Sequence, residues 1–301
     1  MSDLPLISVC IPIFNSDANS LVNSVFEQVK NLENKIEIIV IDDCSDHDWK
    51  LKNNSIIDLC RFVQLPQNIG RSKIRNLFLK YAKGEFLLFI DGDSEVISKC
   101  YLADYVDFIE KNNPDVLVGG SVYQKEKPKR SHLLRWKYSI LRESKPAEKR
   151  EAGNLGFKTN NFLIRKRLFS ETQFDEKLMG YGHEDTLFGI QLARQKHTIQ
   201  HLENPVLNKH LDSNKVFVKK TENAVGNLVQ IYLLVEQFPE IQEIKLIRFY
   251  EKMKQQKLIS FIDLTYRITS SCVMIFLKSG FFTLWMFDFY KLGLFIRKIK
   301  S

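Results

Sequence analysis

The sequence predicts an α/β protein: a mostly parallel, Rossmann-like, doubly wound sheet flanked by helices, followed by a helical, amphipathic C-terminal extension. Three observations carry this prediction. Short β-branched apolar runs alternate with helical apolar faces over the first 110 residues. Carboxylates stand at the ends of two of those runs. The last fifty residues then change in kind, becoming aromatic and basic.

Residues 6–14 and 36–42 are the two β-branched runs, with the composition of strands buried on both faces. Between them Leu21, Val22, Val25, Phe26 and Val29 share one helical face. After Asn68-Ile69-Gly70 a second helix places Ile74, Leu77, Phe78 and Tyr81 on one side, with Gly84 as its stop. Residues 86–90 form a third apolar strand. Strand, helix, strand, helix, strand in that order predicts right-handed crossovers and ligands beyond the carboxyl ends of the strands. Leu102, Tyr105, Val106 and Ile109 mark a helix over 101–111, and DVLVGGSV reads as one further strand. Residues 123–152 read as a long excursion, helical around Leu133 to Leu141, and 184–195 and 216–236 are helical by spacing.

An apolar share of 44% in 301 residues suffices for a real core. Cys10, Cys44, Cys60, Cys100 and Cys272 are scattered without a Cys-x-x-Cys pair. That points away from a disulfide framework or zinc site and toward a reducing compartment. The N-terminal stretch lacks a basic leader and its apolar run is broken by Pro12, so a first strand is expected there, not a signal peptide. The formal charge of +8 is uneven: residues 252–301 carry +7 and residues 123–152 carry +6, leaving −5 on the rest. A mildly acidic body argues against nucleic acid as a partner. The uncharged runs 268–277 and 279–287 are about half of the roughly 20 residues a spanning helix needs. Membrane-surface contact through 252–301, not a crossing, is therefore expected, with packing on the body as the alternative.

Four stretches carry chemistry. In FIDGDSE, Asp91 and Asp93 end a core strand. Such a pair suits Mg2+ or Mn2+, which bind a carboxylate or two and leave room for substrate phosphates; a solvated acidic turn is the plainer reading. In VIDDCSD, Asp42 and Asp43 can accept from a base N–H or ribose hydroxyls, or simply cap a turn with Ser45 and Asp46. In NIGRSKIRN, Gly70 permits a turn that a Cβ would hinder, and Arg71, Lys73 and Arg75 follow at a helix start. Cations there oppose the helix dipole, so phosphate binding explains them, against a solvated basic face. In GYGHED, a glycine-flanked turn precedes His183, Glu184 and Asp185. Acids suit the helix dipole, but a carboxylate at a rigid helix start can also reach an acceptor hydroxyl as a base.

Together, and in this order, these stretches resemble the inverting family 2 glycosyltransferases of the GT-A fold, of the type that builds bacterial cell-surface glycans. The resemblance runs over residues 5–212 and includes CIPIFN (Pro12, Phe14, Asn15) and NNFLIRK (Asn160, Asn161, Arg165). It implies a nucleotide-sugar donor, a UDP-sugar by preference, bound by Pro12, Phe14, Asn15, Asp42, Asp43, Asn68, Gly70, Arg71, Arg75, Asp91 and Asp93. It implies Asp185 as catalytic base with Glu184 beside it, and an acceptor near Asn160, Asn161, Gly182 and His183. A divalent metal, Mn2+ or Mg2+, would sit on Asp93, with His210 as a further ligand. Where many relatives carry another acid this chain has Ser94, and Glu95 follows as a bystander. The catalytic domain is then expected over 1–215, its donor half ending near 122, with 216–301 as the extension. The acceptor is expected to be a glycan or lipid-linked glycan, and the location the cytoplasmic face of the cell membrane. Two other classes compete: a non-catalytic carbohydrate or nucleotide-sugar binder on the same fold, and a nucleotidyltransferase. The latter should have a glycine-rich basic loop after the first strand, where PIFNSDANS has neither glycine nor a basic residue.

Overall fold

A computed structural model of the chain describes residues 4–32, 35–151, 157–178 and 180–300. Its strands are β1 (Ile7–Ile13), β2 (Ile36–Asp42), β3 (Arg61–Gln64), β4 (Phe86–Ile90), β5 (Ser94–Val96), β6 (Val116–Val118), β7 (Ser121–Tyr123), β8 (Asn161–Arg165), β9 (Ile199–His201) and β10 (Val206–Asn208). Its helices are α1 (Asn19–Val29), α2 (His47–Lys52), α3 (Arg71–Tyr81), α4 (Tyr101–Asn112), α5 (Leu133–Tyr138), α6 (Ala147–Glu151), α7 (Lys166–Glu171), α8 (Glu184–Arg194), α9 (Asn214–Val235), α10 (Lys245–Gln255), α11 (Ile259–Ser279) and α12 (Leu284–Lys300).

Seven strands form the main sheet in the order β3-β2-β1-β4-β8-β6-β9. β1 lies parallel to β2 and β4, β2 to β3, and β6 to β9, as the alternating pattern requires. β8 alone runs antiparallel, to β4 and β6. Because it is reversed, its start lies at the end of β4, with Asn161 opposite Ile90. Both faces of the sheet are covered, which is why β4 is continuously apolar and β1 apolar but for buried Ser8. Leu21, Val22 and Val25 of α1 and Leu102 and Tyr105 of α4 pack on one side. Ile74 and Phe78 of α3, Phe169 of α7 and Phe188 of α8 pack on the other.

The DVLVGGSV segment is two strands, not the single one expected. At Gly119-Gly120 the chain leaves the main sheet, and β7 joins a small sheet of order β5-β10-β7. The excursion 123–152 is helical where expected: α5 continues into a π-helical turn at Ser139–Glu143.

The C-terminal helices share cores with the body. Val225, Leu228 and Ile231 of α9 and Phe295 of α12 pack with Leu187 and Ile190 of α8. Phe217 of α9 and Phe287 of α12 pack with Leu134 of α5. Of the two expected uncharged runs, 268–277 lies within α11, while 279–287 spans the break at Gly280 between α11 and α12. By length and composition, α11 is the only described helix long and apolar enough to cross a membrane: 21 residues, mean hydropathy 1.3, with 11% of that window buried. Its inner side is nevertheless docked, through buried Tyr266 and Leu277 and through Asp263, which accepts from Lys300 of α12 at 3.0 Å.

Candidate active site

The carboxyl ends of β1, β2 and β4 converge, and the acids there differ in what they meet. Asp42 is buried. Its Oδ1 accepts from the amide and hydroxyl of Ser45 at 2.9 and 2.5 Å, fixing the turn after β2. Asp43 is also buried and accepts from the backbone N–H groups of Ile69 and Gly70 at 2.7 and 3.0 Å. Burial pushes its carboxyl up, the two N–H bonds pull it back, and neighbouring Asp42 adds to the rise. Asp43 thereby holds the loop that starts α3. Asn68 is exposed and donates to the Asp43 carbonyl at 3.2 Å. Gly70 enters the helix at φ +86°, in the region glycine favours. Asn15, at φ +48°, exchanges hydrogen bonds with Asp46 and donates its amide to Ser45. These contacts make Asp42, Asp43 and Asn15 the frame of the pocket; the sequence had placed all three against the donor itself. Phe14 is 51% exposed just past β1, a free ring beside half-buried Pro12.

At the end of β4 the chain turns at once: the Ser94 amide donates to Asp91 O at 3.0 Å, and the Asp91 amide donates to Asn160 O at 3.2 Å. Gly92 is required by close approach, because a Cβ there would stand 2.5 Å from Ile13 Cγ2. The turn is thus pressed against β1 and shows its acids outward. Ser94 is buried and pairs with Asn208 in the small sheet, and Glu95 is held by Lys209 at 2.7 Å, in keeping with a bystander.

An alternating chain of charges joins this turn to α8. Arg75 Nη2 donates to Asp91 Oδ1 at 2.7 Å, and its Nη1 lies 3.9 Å from Glu184 Oε1. Arg71 Nη1 donates to the same Glu184 oxygen at 3.2 Å. The Arg75 side chain is only 3% exposed, so it braces Asp91 and Glu184 and is not open to a diphosphate, contrary to the expectation for it. Glu184 is buried against both guanidiniums, so it anchors α8 and does not face an acceptor. Arg71 keeps 43% of its side chain open and lies over the Tyr181 ring at 4.8 Å. Crowding disfavours its charge, but Glu184, Asp91, Tyr181 and Asp93 together hold it firmly protonated.

The GYGHED loop rises through Gly180 (φ +84°), Gly182 (φ +96°) and His183 (φ +68°) before α8 begins. Asn227 of α9 holds it by donating to Gly182 O at 3.0 Å. Asp185 Oδ1 accepts from the Thr186 amide at 2.7 Å, while Lys158 Nζ donates to Oδ2 at 2.9 Å. Burial works against its charge, but Lys158, aided by His183 and the Thr186 amide, brings the carboxyl down to about 2. His183 goes the other way: burial lowers it to about 4, so the ring is neutral at physiological pH.

The expected residues therefore divide. Phe14, Arg71 and Asp93 are exposed, Asp91 is partly open with Asn160 adjoining it, and Asp185 is largely covered by Lys158. Asn161 does not. It is fully buried and satisfied internally, its Oδ1 accepting from Tyr101 and Tyr105 hydroxyls and its Nδ2 donating to Gly120 and Asn204 carbonyls, so it cannot contact an acceptor. Lys158, Tyr181 and Lys220 were not picked out from sequence. Tyr181 lies within a quoted motif and has Lys220 on its ring at 5.1 Å. Lys158 is a single lysine 27 positions before its partner, with no local pattern to mark it.

The fit of a divalent cation can be tested on Asp93. Its side chain is exposed. Crowding by protein and the charge of Asp91 push its pKa up, and Arg71 and His210 act against this across space. A cation would relieve that like-charge excess. Among the described residues no three His, Cys, Asp or Glu side chains form a metal cage. His210 is 70% exposed and 3.8 Å from Asp212. The donor set fits a hard cation held by one protein carboxylate and completed by substrate oxygens.

The glycosyl transferase family 2 pattern matches residues 8–173, more than half of the chain. The chain belongs to glycosyl transferase family 2. TarS of Staphylococcus aureus, a poly(ribitol-phosphate) β-N-acetylglucosaminyltransferase, is 38% identical to this family member over 117 residues, 37% of this chain and 20% of TarS. TarP of S. aureus, of the same description, is 31% identical over 118 residues, 38% of this chain and 36% of TarP. The match thus spans only a fifth to about a third of these relatives' length. In structure, residues 1–349 of TarS align over 95% of this chain and 90% of that one, with TM-score 0.52 and 19% identity; that fragment has also been solved with UDP-GlcNAc. The mannosyltransferase PcManGT of Pyrobaculum calidifontis, solved with GDP-Man and Mn2+, aligns over 99% of this chain and 86% of its own, with TM-score 0.59 and 13% identity. The sheet is therefore GT-A-like, with β8 as its reversed strand.

Proposed function

We propose that the chain is a metal-dependent inverting glycosyltransferase that moves a sugar from a UDP-sugar to a hydroxyl of a glycan or lipid-linked glycan, with Asp185 as general base. The observation that carries this is the place of Arg71. One partly open guanidinium lies within electrostatic reach of Asp91, Asp93 and Glu184 at once, so the strand-end acids and the start of α8 border one cleft.

In this reading Phe14 and Pro12 flank the base, and Asp91, oriented by Arg75, meets ribose or sugar hydroxyls. Bound on Asp93, Mg2+ or Mn2+ would neutralise charge on the departing diphosphate. Asp185 takes the proton of the acceptor hydroxyl. The acceptor oxygen bonds to the anomeric carbon as the opposite bond to the diphosphate breaks, and that bond's electron pair leaves with the nucleotide. Configuration inverts in this single displacement. Arg71 adds a fixed positive charge to the diphosphate side of the cleft.

A uridine donor is supported by the TarS fragment solved with UDP-GlcNAc. A phosphate-bearing acceptor is supported by the relatives' names and by the +6 segment 123–152, whose α5 packs against α9 and α12. Residues 252–301 would bind an anionic lipid surface at the cytoplasmic face of the membrane. Phe261, Leu264, Ile268 and Ile275 make one exposed apolar stripe on α11, continued by Phe281 and Trp285, in a segment of charge +7. The docked inner side of α11 favours lying on that surface over crossing it.

The experiment is a screen of sugar nucleotides for binding and nucleotide release, with and without Mn2+. Metal-dependent binding of one UDP-sugar, followed by transfer with inversion, is expected. Absence of any sugar-nucleotide binding would refute the reading.

A further inference from the structure

Asp185 is not free to act in the structure. Lys158 Nζ sits 2.9 Å from Oδ2, and the Thr186 amide and hydroxyl lie 2.7 and 3.3 Å from Oδ1. The carboxylate is only 16% exposed, whereas the lysine is 56% exposed, so the ammonium covers the side of Asp185 that faces outward. The Thr186 contacts belong to the helix itself. The lysine comes from the residues before β8 and is the partner that can leave.

We propose that Lys158 guards the base: it neutralises Asp185 while no acceptor is bound, and it passes to a phosphate of the incoming acceptor, baring Oδ2 for the acceptor hydroxyl. This rests on Asp185 being the base. The physical ground is charge conservation in a crowded site. Withdrawing a cation from a largely buried carboxylate strands charge unless another anion receives it, and a lysine exchanges carboxylate for phosphate readily as a point charge. A neutral acceptor offers no such exchange. The groups facing the pair agree with this. Glu143, at the π-helical turn, and Tyr138 favour the lysine's charge, while His183, just before α8, faces the pair and is itself acted on by Lys291 of α12. Asp185 has its lowest basicity while Lys158 is in place, so water is poorly activated against a donor bound alone. Acceptor binding would raise that basicity at the moment it is needed.

The test compares wild type, Lys158→Met and Lys158→Arg, using the UDP-sugar that the wild-type chain turns over. Without acceptor, Lys158→Met should release UDP severalfold faster than wild type. Its acid limb should stand about one to three pH units higher, the usual effect of removing a cation beside a carboxylate. Lys158→Arg should restore the wild-type profile. Glycerol 3-phosphate should stimulate UDP release by wild type more than glycerol does, and this preference should vanish in Lys158→Met. Separate arms with a ribitol-phosphate oligomer and a short-chain polyprenyl diphospho-sugar identify the phosphate source as the arm whose KM rises in Lys158→Met. An unchanged acid limb together with unchanged KM in every arm overturns the guard. Should Lys158→Met fail to fold, Lys158→Gln carries the same comparison. Loss of transfer in Asp185→Asn alongside a wild-type-like Lys158→Met removes only the role of Lys158. Survival of transfer in Asp185→Asn removes the base itself.

Discussion

Glu184 and Asp185 are adjacent in sequence, yet their surroundings differ and the proposed function gives them different tasks, and two isosteric substitutions separate them. Glu184 is 8% exposed and bonded to Arg71, with Arg75 3.9 Å away. Glu184→Gln leaves two guanidiniums facing a neutral amide, one of them 3% exposed. Removing one member of a buried ion pair typically costs about 3–5 kcal/mol. Asp91 still holds Arg75 at 2.7 Å, so the cost should stay at or somewhat below the bottom of that range, about 2–3 kcal/mol. At roughly 2–4 °C per kcal/mol for a domain of this class, Tm should fall by about 4–12 °C. Asp185→Asn instead removes a pair whose lysine is 56% exposed, worth about 0–1 kcal/mol. Its Tm should barely move, while transfer should drop by about 10²–10⁴, the range of general-base catalysis. Scanning fluorimetry and UDP release on the two variants read both effects. Wild-type Tm in Glu184→Gln would refute the buried charge chain, and wild-type turnover in Asp185→Asn would refute the base.

Other outcomes follow from the same geometry. Asp93→Ala should abolish metal-dependent donor affinity measured by calorimetry with and without Mn2+, whereas metal-dependent affinity that persists would take Asp93 out of the metal role. Gly92→Ala should push the turn off Ile13, costing about 1–3 kcal/mol by overpacking and weakening donor binding, seen as a raised Kd with a lowered Tm. Asn161→Ala orphans four internal partners at roughly 1 kcal/mol or more each, so the soluble yield and Tm should collapse; an intact Tm with only a raised acceptor KM would return Asn161 to the acceptor site. Replacing Phe261, Ile268 and Trp285 with serine should end co-flotation with vesicles containing phosphatidylglycerol, with donor affinity unchanged. Flotation that persists, or that is equal on neutral vesicles, counts against the lipid surface.

The main sheet was legible where the chain repeats a strong local pattern. β1, β2 and β4 are long apolar runs, and α1, α3 and α4 have clear faces. The strands that escaped notice include β8, which was read only as part of the NNFLIRK motif despite its apolar run, and several with little pattern to show. β3 is a four-residue edge strand with no buried residue, and β5, β7, β9 and β10 have three residues each. The site was legible at the level of motif and less so at the level of burial. Arg71 and Arg75 look equivalent in NIGRSKIRN. One is open and the other enclosed because their partners, Asp91 and Glu184, arrive from 16 and 113 positions away. Asn161 looked like a site residue for the same reason, since the tyrosines that enclose it lie 60 and 56 positions earlier.

These long-range partners also decide which of the clustered acids can act on a ligand. Asp42 is held through Oδ1 by Ser45, its buried Oδ2 having no hydrogen-bond partner, while Asp43 is bonded by two backbone N–H groups, Asp91 by Arg75, Glu184 by Arg71, and Asp185 by Lys158. Among the described residues no cation stands within ion-pairing distance of Asp93; after crowding, the like charge of Asp91 acts on it most, opposed across space by Arg71 and His210. A rigid strand end with one uncompensated carboxylate is a stable arrangement only because that carboxylate reaches water. Bringing a diphosphate beside it adds still more negative charge, which Arg71 alone cannot balance. On the proposed function the donor is therefore expected to bind here together with a cation. The repulsion of Asp93 by Asp91 is what a cation arriving with the donor would relieve, and that relief is the expected source of the coupling.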